Sequence, residues 1–350
     1  MELIGALAAG VAWGLLRWGR RTACGAAPVA LAGFALAIVA GLWALPDPVP
    51  PPQGELRAAV VQGNIDQGRK WDPAFRRATL ETYGSLSRSV SVAGVDLFLW
   101  PETAVPLYAQ DPSPERRGLD ALARELGGYL AFGAPAYKRR GSEVEYRNAL
   151  FLLSPEGVLV GRYDKVHLVP FGEYVPLGRF FPFMKKLVAG AGDFTPGPGV
   201  KPFPEEPGLP VLGALVCFEV IFPSFASSLV SAGAQVLLVV TNDGWFGRTP
   251  GPYQHLAFAA WRAAEVGAPL LRAANTGVSA AFDGHGRLLR ETALNTRDAF
   301  TVVLPFPPPH RTPQQRVRPW VWPGSLALAL PGLSVILLRF RRPEAPDPRR

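Results

Sequence analysis

Two uncharged apolar runs bracket the middle of this chain and limit what can lie between them. Pro28–Leu45 holds 18 residues without a formal charge, and Pro319–Leu338 holds 20. At the rise of an α-helix these are about 27 and about 30 Å long, enough to cross the hydrocarbon of a bilayer. Trp320 and Trp322 open the second run at an interface position. Pro323 and Pro331 would break a soluble helix but are tolerated in a spanning one. Leu3–Leu16 has only 14 uncharged residues and is marginal alone. The expected spans are about 3–18, 28–45 and 319–338. The competing explanation, buried helices of a soluble core, is weakest for the two longer runs.

The arginines set the orientation. Arg17, Arg20 and Arg21 lie between the first two runs, which assigns that loop to the cytoplasm. The tail 339–350 carries Arg339, Arg341, Arg342, Arg349 and Arg350 and is expected on the same side. The stretch between the second and third runs then faces the other way, as an extracytoplasmic domain held at both ends. Residues 47–54 form a Pro-rich, extended linker into it. A cleaved secretory signal is not expected, because Glu2 is the only charge ahead of the first run and the cations follow it.

Composition closes other routes. Hydrophobic residues are 48% and charged residues 18% of the 350, too apolar for disorder. The net charge is +8, and only six of the 36 cations are lysines. No block of cations alternates with aromatics, so a membrane surface suits the excess charge better than nucleic acid does. Cys24 and Cys217 cannot build a disulfide framework, and the four histidines have no zinc-ligand spacing. Neither a metal nor another cofactor is expected. His167, His255, His285 and His310 are expected to be structural or exposed.

The middle reads as alternating strands and helices. Leu56–Gly63, Val95–Trp100, Tyr129–Tyr137, Asn148–Leu153, Val158–Arg162, Leu212–Cys217, Gln235–Val240, Leu270–Ala274, Val278–Phe282, Leu288–Arg290 and Ala299–Leu304 read as strands. Pro73–Val90, Pro114–Leu126, Pro223–Ala232 and Pro252–Val266 read as helices. Buried strands alternating with helices make an α/β layered fold. Between His167 and Phe203 lies a long irregular stretch holding Phe180, Phe181, Phe183, Met184, Lys185 and Lys186. Aromatics mixed with lysines suit a lid that touches lipid, although a loop packed on its own core fits as well.

Three strands end in reactive residues of different types. Glu102 follows VDLFLW, Lys165 follows VLVGRYD and Cys217 follows LGALV. Carboxyl ends of strands are where sites of α/β folds gather. A thiol that attacks, a carboxylate that takes its proton and an ammonium that steadies the oxyanion make a nucleophilic set. The ammonium is expected to lower the thiol pKa. Taken singly, each also fits a bland role: buried thiol, solvated cation, surface carboxylate.

Four blocks carry a resemblance: WPETAVP at 100–106, YDKVHLVPFGEYVP at 163–176, CFE at 217–219 and TNDGWFG at 241–247. Together they resemble the nitrilase superfamily and, more narrowly, its apolipoprotein N-acyltransferase branch. VQGNI at 61–65 and KWDP at 70–73 are similar to the branch too. The resemblance implies a four-layer αββα sandwich over about 55–310, periplasmic and flanked by transmembrane helices in a bacterial inner membrane. It implies that Glu102 is the general base, Lys165 stabilises the oxyanion, Cys217 is the nucleophile and Glu173 supports the lysine. It places Trp71, Phe218, Glu219, Asn242 and Trp245 around the pocket. Phe218 stands where the branch often has Tyr, so a hydroxyl there is not expected to be essential.

The implied reaction is a ping-pong acyl transfer by a monomer. Cys217 takes a fatty acyl chain from a phospholipid donor, and the N-terminal amine of a diacylated apolipoprotein accepts it. The branch carries eight spans and this chain offers three, and the orientation above leaves Met1 outside. Upstream helices missing from the start are therefore expected, with a naturally shortened enzyme as the alternative. Two other functions remain open: a membrane-tethered amidase of the nitrilase type, and a lipid- or lipoprotein-binding module with a dead site.

Overall fold

The computed structural model describes residues 50–312 apart from 69–71, 92–93 and 175–193, together with Gly33 and 314–316. The expected spans, the basic tail, Cys24, Trp71 and the aromatic stretch 180–187 lie outside the described residues. Among those described, no helix is long and apolar enough to cross a membrane. The chain divides into two compact units, and the larger, Val49–Arg311, is the subject below.

Among the described residues, seventeen segments of regular backbone build this unit. Strand β1 (Gly54–Gln62) is followed by helix α1 (Pro73–Ser89), β2 (Leu97–Leu99), α2 (Pro114–Leu126), β3 (Tyr129–Arg140), β4 (Glu143–Leu153) and β5 (Leu159–Asp164). Then come β6 (Leu212–Val216), a 3-10 turn (Cys217–Ile221), α3 (Pro223–Ser231), β7 (Val236–Thr241) and a second 3-10 turn (Gly244–Phe246). Helix α4 (Gly251–Val266) and strands β8 (Leu270–Ala274), β9 (Ala280–Phe282), β10 (Leu288–Glu291) and β11 (Asp298–Phe306) complete it. One sheet runs β11-β1-β2-β3-β4-β5 and the other β10-β9-β8-β7-β6. β1, β2 and β3 are parallel, as are β6, β7 and β8, and the remaining pairs are antiparallel.

Period-two side-chain alternation explains the layers. Leu56, Ala58 and Val60 of β1 meet Ala214, Val216, Leu238 and Val240 of the other sheet in one buried cluster. Ala59 and Val61, pointing the opposite way, pack with Tyr83 of α1 and with Leu119 and Leu122 of α2. Leu237 and Val239 likewise meet Leu229 of α3 and Ala263 of α4. The order is helix, sheet, sheet, helix. Helix ends are written locally: Asp72 and Ser113 accept from Ala74 N and Arg116 N, each ahead of a first-turn proline. Gly127 closes α2 at φ +66°.

Several boundaries differ from expectation. β3 and β4 extend to Arg140 and back from Glu143, beyond the Tyr137 and Asn148 read from sequence. Their ends are charged and exposed, so hydrophobic alternation gives no signal there. Backbone pairing and an ion pair of Arg140 with Glu145 at 3.1 Å hold them. Gly54, the last residue of the expected linker, is the first of β1. β6 stops at Val216, so Cys217 opens a turn instead of closing a strand.

Candidate active site

Glu102, Lys165 and Cys217 each follow the last residues of a strand, and the two facing sheets bring those ends together. Glu102 turns off β2 behind a buried Trp100, whose indole N–H donates to Ser87 Oγ at 2.9 Å and whose ring stacks on Tyr83. The turn needs room from β3. A Cβ on Gly133 would stand 2.6 Å from Glu102 Cα and 2.5 Å from Thr103 N. Glu102 Oε1 accepts from Asn148 Nδ2 at 2.7 Å, and its Oε2 accepts from the Asn242 amide at 3.0 Å.

Lys165 leaves β5 with its amide donating to Asn148 O at 2.8 Å. Its side chain is 1% exposed. Nζ lies 2.8 Å from Glu173 Oε2 and 3.7 Å from Glu102 Oε1. Glu173 belongs to a tight turn in which Phe171 N donates to Tyr174 O at 2.7 Å. Its Oε2 also accepts from Val169 N at 2.9 Å. One ammonium therefore sits between two carboxylates.

Cys217 adopts φ +52°, a left-handed backbone that costs a non-glycine residue about 1–3 kcal/mol. Surrounding groups hold it there. His255 Nε2 lies 3.1 Å from the Cys217 carbonyl oxygen, and His255 Nδ1 lies 2.8 Å from Asp243 Oδ1. Arg272 Nη2 donates to Asp243 Oδ2 at 2.5 Å. On the other side Glu219 accepts from Val216 N, Val166 N, His167 N and the Tyr163 hydroxyl. Glu219 thus ties the Cys217 turn to the segment that carries Lys165.

The charges act on the thiol in opposite senses. Burial first, and then the Glu102 carboxylate, push the Cys217 thiol well above its ordinary value, while Lys165 pulls it back. This reverses the expectation of a lowered pKa: the resting form is the thiol. For Lys165, burial favours the neutral amine, but Glu173 and then Glu102 outweigh it and raise the ammonium above the ordinary lysine value. Burial pushes Glu219 up, and its backbone donors pull it down. Asp243 is also penalised by burial, yet Arg272 and His255 lower it to about 2.

The other expected residues separate by position. Glu219 is fully buried, with its oxygens held by three backbone amides and the Tyr163 hydroxyl. Asn242 joins the site through its amide, with its side chain held by Gln67 and Asn275. Phe218 is half-buried beside His167 and Phe222, with ring centroids 5.8 and 5.3 Å away. Trp245 is exposed three residues beyond Asn242. Asn148, Asp243, His255 and Arg272 were not singled out from the sequence. The only available signal was for Asp243, inside the TNDG block. Among the described residues no group of three His, Cys, Asp or Glu side chains could hold a metal ion.

This αββα sandwich with its acid, amine and thiol has relatives. Residues 57–306 match the carbon-nitrogen hydrolase family over their whole length. The chain belongs to the carbon-nitrogen hydrolase family. Within it, the chain is 46% identical over 247 residues to the apolipoprotein N-acyltransferase of Geobacter metallireducens, covering 70% of this chain and 47% of that protein. It is 37% identical over 297 residues to the one of Brucella melitensis, covering 83% and 55%. The chain therefore spans about half the length of these curated relatives. Among solved structures, Saccharomyces cerevisiae Nit3, a nitrilase-superfamily member, superposes with a TM-score of 0.56 at 18% identity, covering 73% of this chain and 91% of that one. At that identity the likeness speaks for the carbon-nitrogen hydrolase fold alone.

Proposed function

We propose that this chain transfers a fatty acyl group from a phospholipid to the N-terminal amine of a diacylglyceryl-cysteine on an apolipoprotein, through a thioester on Cys217. The observation that carries this reading is the 46% identity to an apolipoprotein N-acyltransferase across 247 residues, 70% of this chain. Glu102 is the base. As Cys217 Sγ bonds to the ester carbonyl carbon, Glu102 takes the thiol proton, and Lys165 steadies the oxyanion. The acyl–oxygen bond then breaks, and Glu102 returns the proton to the leaving glycerol oxygen, releasing a lysophospholipid. In the second half the amine nitrogen attacks the thioester carbon, Glu102 takes the amine proton, and Sγ leaves with it. Dividing one hard transfer into two easier ones is the gain from the covalent intermediate.

Glu173 keeps Lys165 charged, and Glu219 keeps it in register with Cys217. Trp71, Phe218, Asn242 and Trp245 line the path of the substrates in this reading. Residues 3–18, 28–45 and 319–338 cross the bacterial inner membrane, and the domain of residues 55–310 faces the periplasmic side, where the 47–54 linker delivers it. The aromatic and lysine-bearing stretch 180–187 meets the lipid. The chain acts as a monomer.

The test uses the full chain in detergent with phosphatidylethanolamine and no amine. Intact mass and peptide mapping should find a fatty-acyl adduct on Cys217 that Cys217→Ala lacks. A diacylated lipopeptide should discharge it into N-acylated peptide. Discharge only to free fatty acid would replace the transferase by a hydrolase, and a folded chain that forms no adduct would overturn the proposal.

A further inference from the structure

Asn148 stands where both carboxylates and the lysine meet. It lies in the buried half of β4, next to Arg147 and paired with Pro135 of β3. Its Nδ2 donates to Glu102 Oε1 at 2.7 Å and to Glu173 Oε1 at 3.0 Å. Its carbonyl accepts the Lys165 amide at 2.8 Å. An amide nitrogen carries two hydrogens, so each carboxylate can take one. Two carboxylates drawn this close repel, and the common outcome is that they share a proton. A shared proton would disable Glu102 as a base. The Asn148 amide stands in its place, offering each acid an N–H without supplying a proton that can be lost.

We infer that Asn148 is a positioning residue for the proton transfer, bridging Glu102 and Glu173 so that Glu102 stays an unprotonated, singly oriented base beside Cys217. The inference rests on the acid–base roles proposed above and not on the lipid substrate. The charged and titratable groups that bear on the bridge are Glu102, Glu173 and Lys165, with Cys217 and Asp243 on the facing sheet. Asn148 itself is 5% exposed, so bulk water cannot easily replace its donors.

Alkylation by iodoacetamide, followed at the Cys217 peptide of the full chain across a range of pH, reads this without any lipid. Base assistance by ionised Glu102 sets the acid limb of that profile. Asn148→Ala removes the donor, and Asn148→Asp puts a third carboxylate in its place. The limb should move to higher pH in the order unaltered chain, Asn148→Ala, Asn148→Asp. The full move should be about one pH unit, or about tenfold in rate at a fixed pH below the limb. In a Glu102→Gln background the same substitutions should leave the profile where it is. An unmoved limb, or a different order, in variants that keep the thermal midpoint of the unaltered chain overturns the inference. Loss of cooperative unfolding in both variants does so too, because Asn148 would then act only through the fold. If the limb moves as expected but phospholipid leaves no adduct on the unaltered chain, the lipid reading fails and Asn148 keeps its role.

Discussion

Two buried charge clusters flank Cys217, and they are built in opposite ways. In one, the Lys165 ammonium sits between the carboxylates of Glu173 and Glu102. In the other, the Asp243 carboxylate sits between Arg272 and His255. The first sets two acids around one cation and the second sets one acid between a guanidinium and an imidazole. A second carboxylate next to a thiol that burial keeps protonated is an arrangement for moving a proton. A carboxylate closed in by a guanidinium, an imidazole and the Thr241 hydroxyl has nothing left to exchange. The second cluster instead grips the backbone, since His255 reaches the Cys217 carbonyl. Chemistry and geometry at the same cysteine are therefore served from different sides.

Substitutions should separate the two clusters. Arg272→Met strands Asp243 in a site where Arg272 is fully buried. Removing one partner of a buried pair costs about 3–5 kcal/mol, and the many contacts of Arg272 point to the upper end. Urea unfolding would detect this at once, and an unchanged midpoint would break the distinction drawn here. Glu102→Gln is next. It keeps the acceptor for Asn148 and leaves Lys165 paired with Glu173, so unfolding should move by less than about 1 kcal/mol. Acylation of Cys217 should fall about 10³-fold, equal to about 4 kcal/mol of barrier. Quench-flow mass spectrometry on the Cys217 peptide measures it. A large loss of stability with little loss of rate would reverse the roles of the two clusters.

The same division explains what could be read in advance. Glu102, Lys165 and Cys217 stand at strand ends within recognisable blocks, where sequence pattern and site position coincide. Their layering followed from apolar strands alternating with helices. The holding cluster left less trace, since only Asp243 stands in a recognisable block, TNDG. Asp243 meets Arg272 from 29 residues away, and Cys217 meets His255 from 38 away, each contact made only once strands and helices are stacked. Asn148 looks like any polar residue ahead of an apolar strand. The thiol pKa was misjudged because sequence shows the nearby lysine but not the burial that outweighs it. Glu219 is placed around the pocket by the resemblance alone; its four donors come together only in the 3-10 turn of the fold.

Acid titration should sharpen the contrast by a smaller amount. Asp243 is held at about 2, below its unfolded value of 3.8. A depressed carboxylate contributes stability above its unfolded pKa and loses that contribution as pH falls through the folded one. The contribution is about 2 kcal/mol, present above pH about 4 and lost towards pH about 2. Other carboxylates titrate over the same range, so Asp243→Asn is the reference. Between pH 5 and 2.5 it should lose about 2 kcal/mol less than the unaltered chain in chemical unfolding. Equal losses would mean that Asp243 is not held as an anion by this cluster.

The smallest effect is expected at the rim, where neither cluster reaches. Phe218 is half-buried, and its ring meets Phe222 edge-on at 5.3 Å and His167 at 5.8 Å. Its neighbour Glu219 already has its oxygens engaged by three backbone amides and Tyr163, so an added hydroxyl finds no waiting partner there. Phe218→Tyr should therefore change unfolding by less than about 0.5 kcal/mol and the acylation rate by less than about threefold. Steady-state rates and a thermal melt on the same preparation check both. A rate gain of tenfold or more would show that the pocket uses a phenol when one is offered. The proton path would then extend beyond Glu102, and the division between a moving side and a holding side of Cys217 would need a third member.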